Sequence, residues 1–519
     1  MMKNKFTLTL LSFSTALLLT ACGGDGNEKS ISTLDNGTTN NNTTNNTSSI
    51  TLSGDINVSL TIGDTYTDPN ADIMIASDLN TSKEGIYTIS YADTDIKRVI
   101  TVSPVASMSA TIPQDTNIEL GGESNILYYA DPRPEENGRN RALRINYGTM
   151  TFEALPVRGN NPHSIDRAGE TNKFYMRTQN SYSFDVVNFD TEEVKTVELG
   201  YKPRALGGYN KKYNLQLLSA KDMPVVGVID VSQDRVIRTL GNQVKYNPSQ
   251  ITSNAGSGSA TGHSFWLDDD HLALIDRVNR EVKIYKTTKN TDGSFNFDRT
   301  SSITTGTALH AIERVASPRT KKDLVTFYAL GEGDTTIPFV PYILELTFNP
   351  STGVLSRPDR DVYLSNSTDI VNNVKPTTHH AGISPDGKYL VAPVFDGKVY
   401  FINRETMSIE KILEAKLGAA HVEFSEQEKV AVITNHFSRD LTIIDMQTLT
   451  VKKHIRISDH GFNPNNKHLL QPHFSYLSPD GRYFYTFATQ DGMFLKIDLQ
   501  TLEIVDRLKT GGAPEQAHS

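Results

Sequence analysis

VYFINRETMSIEKIL (Val399–Leu413), LTIIDMQTLTVKKHI (Leu441–Ile455) and FLKIDLQTLEIVDRL (Phe494–Leu508) align with one another without a gap. Each reads as an alternating apolar strand, a polar turn with Thr at a fixed place, and a second strand. Upstream of the first and third lies Ser-Pro-Asp-Gly-(Lys/Arg)-Tyr, at Ser384–Tyr389 and Ser478–Tyr483, a hairpin turn joining an inner strand to the next. Four strands in roughly 40 to 60 residues is the period of a β-propeller blade. Walking upstream with this template gives further blade starts near His310, His263, Arg204 and His163. Asn125–Val157 supplies three strands of one more blade, and its innermost strand is expected from the chain end, Gly511–Ser519. Such closure protects sheet edges. The expected fold is thus all-β, a propeller over residues 118–519 with eight blades; seven stays open if the interval from His310 to His380 divides differently.

The rest of the composition narrows the chemistry. A chain of 519 residues with 21% charged and 37% apolar residues is too long for one ordinary core and too polar for a multispan membrane protein. A net charge of −9 with no basic run argues against nucleic acid as a partner. The single Cys excludes a disulfide scaffold, a thiolate-ligated metal site and covalent haem attachment. Thirteen His stand against that one Cys.

At the N-terminus, Lys3 and Lys5 precede an apolar run from Leu8 to Leu19, and Leu19-Thr20-Ala21 stands directly before Cys22. This resembles a bacterial lipoprotein signal peptide, residues 1–21. The resemblance implies lipidation of Cys22 and a membrane tether, and it places the chain in the bacterial cell envelope as an outer-membrane lipoprotein facing the periplasm or the cell surface. Residues 22–49, rich in Asn and Thr, read as a disordered linker. Residues 50–104 carry short alternating strands and read as a small β-sandwich. Gly63, Tyr66, Asp68 and Pro69, with Gly85, Tyr87, Ile89 and Tyr91, resemble the immunoglobulin-like modules of bacterial surface proteins, which serve as spacers or adhesives.

Aligning the blades puts a His just before the innermost strand in nearly every one: His163, His263, His310, His380, His421 and His473. His518 falls at the same step if the terminus closes the ring. Thirteen His in 519 residues fill any given position about one time in 40, so this recurrence is not compositional. Three of the slots are fixed by spacing, since His380, His421 and His473 precede Val399, Leu441 and Phe494 by 19, 20 and 21 residues. Inner strands all start at one mouth of the central channel, so these side chains are expected to converge. Convergent neutral imidazoles suit zinc, with copper the alternative. His379 and Glu423 are expected as extra ligands or orienting groups. His271, His436 and His454 follow no blade-wide pattern and read as surface or packed residues, while His460 and His468 sit in a solvated loop. A structural His of the Gly-His type, repeated with Trp around a propeller, is excluded by the single Trp, Trp266.

Ser-Pro-Asp-Gly and Ile-Asp-x-x-Thr resemble the YVTN-type propellers, whose members include surface proteins, lactonases and domains of periplasmic redox enzymes. Thr377-Thr-His-His-Ala-Gly-Ile, Gly262-His263 leading into His271-Leu-Ala-Leu-Ile-Asp-Arg, and the last blade resemble the periplasmic zinc chaperone propellers of the AztD type. That resemblance implies metal delivery to a transport partner. A lipid tether and an immunoglobulin-like spacer depart from it and suit tethered storage, delivery or sensing better. Two other classes stay open: a cofactor-dependent redox or lactonase-like enzyme, for which only Glu313, Arg167 and Arg204 stand near the ring, and a scaffold binding protein or glycan.

Overall fold

The computed structural model describes residues 57–61, 65–83, 85–92, 97–103, 125–132, 140–246, 258–315, 325–333, 340–358, 360–365, 370–465, 469–514 and 516–518. The expected signal segment 1–21, Cys22, the linker 22–49 and His468 lie outside them.

The fixed Thr of the repeated segments belongs to a turn built by side chains. Asn403 Oδ1 accepts from the N–H groups of Glu405 and Thr406, Asp445 Oδ1 from those of Gln447 and Thr448, and Asp498 Oδ1 from those of Gln500 and Thr501, all at 2.8–3.2 Å. A side-chain oxygen of Asn or Asp thereby replaces a backbone acceptor and reverses the chain. The next residue, Met407, Leu449 or Leu502, sits in the left-handed region with φ of 51°, 49° and 59°. A non-glycine residue there costs about 1–2 kcal/mol. Burial of the Met407 and Leu502 side chains between blades offsets it.

Eight antiparallel sheets follow one another from Ile126 to His518 among the described residues, seven with four strands and one, between Leu309 and Tyr363, with five. In sequence order, the second to eighth blades begin at Pro162, Pro203, Phe265, Leu309, Gly382, Ala419 and Tyr476. The first is Ile126–Asp131, Arg141–Asn146 and Thr151–Pro156, completed by Gln516–His518. Strands in the middle of a blade are covered on both faces, so Val430–Asn435 is buried throughout, whereas the outermost Ser408–Glu414 exposes all but one residue. Parallel stacking of such sheets explains why middle strands read as continuous apolar runs.

Eight apolar clusters join each blade to the next. Phe174 and Met176 of the second blade pack on Tyr128 and Ala142 of the first, and the series runs on to Leu495 and Phe484 of the eighth packing on Val432 and Ile443 of the seventh. The eighth then meets the first through Phe487, Phe494 and Tyr485 against Tyr129, Leu143 and Ile145. The molecule is therefore a closed β-propeller.

Residues 57–103 form a separate four-stranded sheet in which Asn57–Thr61 runs parallel to Lys97–Ser103, followed by Gly85–Tyr91 and Met74–Ser77. Among the described residues this is one mixed sheet with a short 3-10 turn at Ala71–Ile73, where a two-sheet sandwich was expected. Its motif residues have a concrete role. Arg98 is fully buried and lies 2.7 Å from Asp68, which also accepts from the Tyr91 hydroxyl (2.6 Å) and the Asn70 N–H (2.8 Å). Removing one partner of a buried pair strands the other charge, at about 3–5 kcal/mol. Asp68→Ala is expected to open this sheet, seen as new proteolytic cleavage within 57–103; an unchanged cleavage pattern would show that the pair is dispensable.

Candidate metal centre

The inner ends of the blades are built by one repeated set of hydrogen bonds. In the second to eighth blades a residue just past the second strand donates its N–H to the segment leading into the inner strand of the same blade: Gln179 to Asn161, Lys221 to Lys202, Arg277 to Ala260, Glu332 to Ala308, Phe395 to Thr377, His436 to Gly418 and Thr489 to Leu470. Counting forward from these carbonyls defines two consecutive steps. The first holds His163, Arg204, Gly262, His310, His379, Ala420 and Pro472. The second holds Ser164, Ala205, His263, Ala311, His380, His421 and His473. The single histidine slot expected from sequence is thus two slots, one residue apart.

A one-residue irregularity creates the pair of steps. Pro162 faces Thr178 and Ser164 faces Arg177, so His163 is the extra residue; Arg204 is extra between Pro203 and Ala205, and Ala420 between Ala419 and His421. Adjacent blades are joined at the same place, since His263 N–H donates to His310 O and His380 N–H to Ala420 O, both at 3.1 Å. Gly262 is required there, because a Cβ would lie 2.7 Å from the His310 carbonyl oxygen.

Eight imidazoles converge. Ring centroids are 4.5 Å apart for His380 and His421, 4.0 Å for His310 and His379, and 4.6 Å for both His436 with His473 and His163 with His473. Two triads hold their ligand atoms within 4.8 Å of one another: His263, His310 and His380, and His379, His421 and His436. All six expected histidines join the assembly, as does His379. His163 and His473 stand beside the triads. Glu423 lies half-buried two residues further along the inner strand, opposite Val432, and belongs to neither triad. His518 pairs with Tyr128, and the position equivalent to His421 is taken by Gln516, which faces Ala130. The closing strand therefore carries His518 two residues past the ring step.

His436, expected as a surface or packed residue, is a buried member of the second triad. It occupies the step after the second strand, which holds Gln179, Lys221, Arg277, Glu332, Phe395 and Thr489 in other blades. Its signal was visible only as a position, never as a repeated residue type. Glu332 was missed for the same reason. His271 and His454 stay outside the ring; His271 Nδ1 lies 2.9 Å from Asp268, and His454 Nδ1 3.2 Å from Thr442 Oγ1. His460 lies exposed against Asp491. The side chain of Glu313 is not among those described.

Second contacts fix which nitrogen His436 and His310 present. The His436 Nδ1–H donates to the Gln471 carbonyl (3.2 Å), which can only accept, so its Nε2 lone pair is free. The His310 Nδ1–H donates to Glu332 (2.8 Å), itself held by both terminal nitrogens of Arg277 at 2.8 and 2.7 Å. Nε2 of His310, His379, His421 and His436 are all buried without a hydrogen-bond partner. A buried unsatisfied nitrogen costs about 1–3 kcal/mol. Four in one place form a donor set with the right chemistry for a borderline metal ion.

Burial also sets the charge. It pushes the basicity of His163, His263, His310, His379, His421 and His473 well below the ordinary imidazole value, aided by neighbouring rings and, for His163, His263 and His310, by nearby guanidinium groups. Burial takes His436 down to about 3, against the opposing pull of the Gln471 carbonyl. Arg204, buried beside His310 and facing Arg277, is lowered to about 9. In the unfolded chain a histidine titrates near 6.5. Between that value and the folded ones the unfolded state holds more protons, so stability is intact above about pH 6.5 and falls as pH drops. The metal-free protein is expected to lose Tm steadily from pH 7 to 5 in calorimetry, more than a His436→Gln variant does; equal slopes would show that these rings are not desolvated.

No family model matches the sequence, and no curated protein does. Among solved structures, the dihydro-haem d1 dehydrogenase NirN aligns with a TM-score of 0.55 and 12% identity, over 79% of this chain and 78% of that one. AztD from Citrobacter koseri aligns at 0.47 and 11% over 76% and 96%, and a protein from Lactobacillus plantarum at 0.44 and 13% over 76% and 98%. At such identity NirN speaks for the fold alone, the β-propeller already evident from the closed ring of sheets.

Proposed function

We propose that this chain is an eight-bladed, envelope-tethered propeller that binds a divalent transition metal, zinc ahead of copper, and acts as carrier, store or sensor for it. One observation carries the reading: the buried, unpartnered Nε2 atoms of His379, His421 and His436, with ligand atoms within 4.8 Å of one another. Three neutral imidazoles leave one coordination position for a solvent molecule or a fourth side chain, the arrangement zinc accepts. Zinc–nitrogen bonds of about 2.0–2.1 Å in a tetrahedron need the donors about 3.3 Å apart. Closing from at most 4.8 Å is within reach of rotamer adjustment. Because the rings are already neutral, binding displaces no proton from them near pH 7.

The histidine set contains no thiolate or thioether, which would favour monovalent copper. Gln471 and Glu332 act as orienting groups, each fixing a tautomer by accepting from Nδ1. The tether rests on the sequence reading of Cys22, and a metal-transport or redox partner in the envelope would receive the ion. Elemental analysis of the purified protein is expected to find zinc or copper at one equivalent or more. His380→Ala combined with His421→Ala, which removes one donor from each triad, should abolish it while circular dichroism still reports a folded β protein. A metal-free chain that takes up neither ion at micromolar concentration would sink the reading.

A further inference from the structure

The two histidine triads share no residue and differ in exposure and in neighbouring charge. We propose that they hold two ions in sequence, the His263/His310/His380 triad as an exchange site facing the channel and the His379/His421/His436 triad as a holding site behind it. This rests on the metal-binding reading above and specifies how the ion moves through it.

Exposure assigns the order. His263 and His380 are only partly buried, whereas all three members of the other triad are buried. An ion from solvent reaches the first triad before the second. Charge assigns the affinities. The exchange triad has the Arg204 guanidinium 3.5 Å from His310 Nδ1 and the Arg277–Glu332 pair behind the same ring, so two guanidinium groups face one carboxylate. A second positive charge opposes a cation there. The holding triad is backed by the neutral Gln471 carbonyl. A bound cation is therefore held more loosely at the first triad than at the second.

Contact assigns the route. Sequence neighbours His379 and His380 belong to different triads with ring centroids 4.9 Å apart, and His310 with His379 and His380 with His421 are 4.0 and 4.5 Å apart across the boundary. An ion can exchange one imidazole for another without returning to water. Glu332 and Arg204 are positioning groups here: they act through His310 and on the local field, with no contact to the second triad.

Titration of the metal-free chain with zinc is expected to give two equivalents. A chelator in excess should then strip one at least tenfold faster than the other. His436→Ala should keep only the fast ion and His263→Ala only the slow one. Arg204→Gln should slow release of the fast ion and leave the slow one unchanged, a change that misfolding would not produce. One equivalent in the parent chain, or loss of both ions in each single variant, would overturn the two-site order. Failure to bind zinc at all would instead overturn the metal-binding reading itself.

Discussion

Asp131 locks the ring. Its buried carboxylate accepts from Arg141 Nε (3.0 Å) and from the Ala513 N–H (2.8 Å), while Arg141 also donates to the Thr510 carbonyl. Gly512 lies so close that a Cβ there would overlap the carboxylate, and its φ of 64° falls in the left-handed region that favours glycine. This clamp brings the last residues over the first blade, so that Gln516–His518 can pair with Tyr128–Ala130. Closure matters beyond protecting edges. His163 and His473 come from the second and eighth blades, and their rings meet because the closed first blade lies between those two. The histidine assembly is a property of the whole circle, and no single blade contains it.

Burial then makes the assembly chemically useful and thermodynamically awkward. Eight imidazoles packed against one another could not all carry charge, and desolvation relieves the conflict by holding His163, His263, His310, His379, His421, His436 and His473 neutral. Neutral rings in turn leave the Nε2 lone pairs of His310 and His436 with nothing to accept, and Nε2 of His379 and His421 without a partner. Natural cores satisfy nearly all buried polar atoms, so five unsatisfied imidazole nitrogens in one cluster, Nδ1 of His473 among them, mark a place where stability is exchanged for something else. An ion would satisfy them together.

The sequence showed the blades because their turns are chemically repetitive: Asn403, Asp445 and Asp498 must each supply a side-chain acceptor, and Gly387 and Gly481 a left-handed turn. The ring was legible as well, since most blades place a histidine at the inner strand. What stayed hidden depended on register. The closing strand has no repeated turn to anchor it, so His518 could be placed only by its pairing with Tyr128. His436 and Glu332 occupy a step whose residue type changes from blade to blade, and periodicity cannot find a position that is not occupied periodically. In the N-terminal module the described residues form one mixed sheet, with the buried Arg98–Asp68 pair tying Lys97–Ser103 to the loop before Ala71.

The irregularity of the inner strand explains why two triads fit at one channel mouth. In a regular strand, consecutive side chains point to opposite faces, so His379 and His380 could not both reach the axis. Thr378 pairs with Val394 and Gly382 with Val391, four residues against three, which inserts one residue and breaks the alternation. Both rings then lie in the assembly, each in a different triad. The same extra residue recurs as His163, Arg204 and Ala420, so these blades too offer two adjacent steps toward the channel. Where the chain fills both with histidine, as it does at His379 and His380, the two triads touch, and the path between them is one residue long.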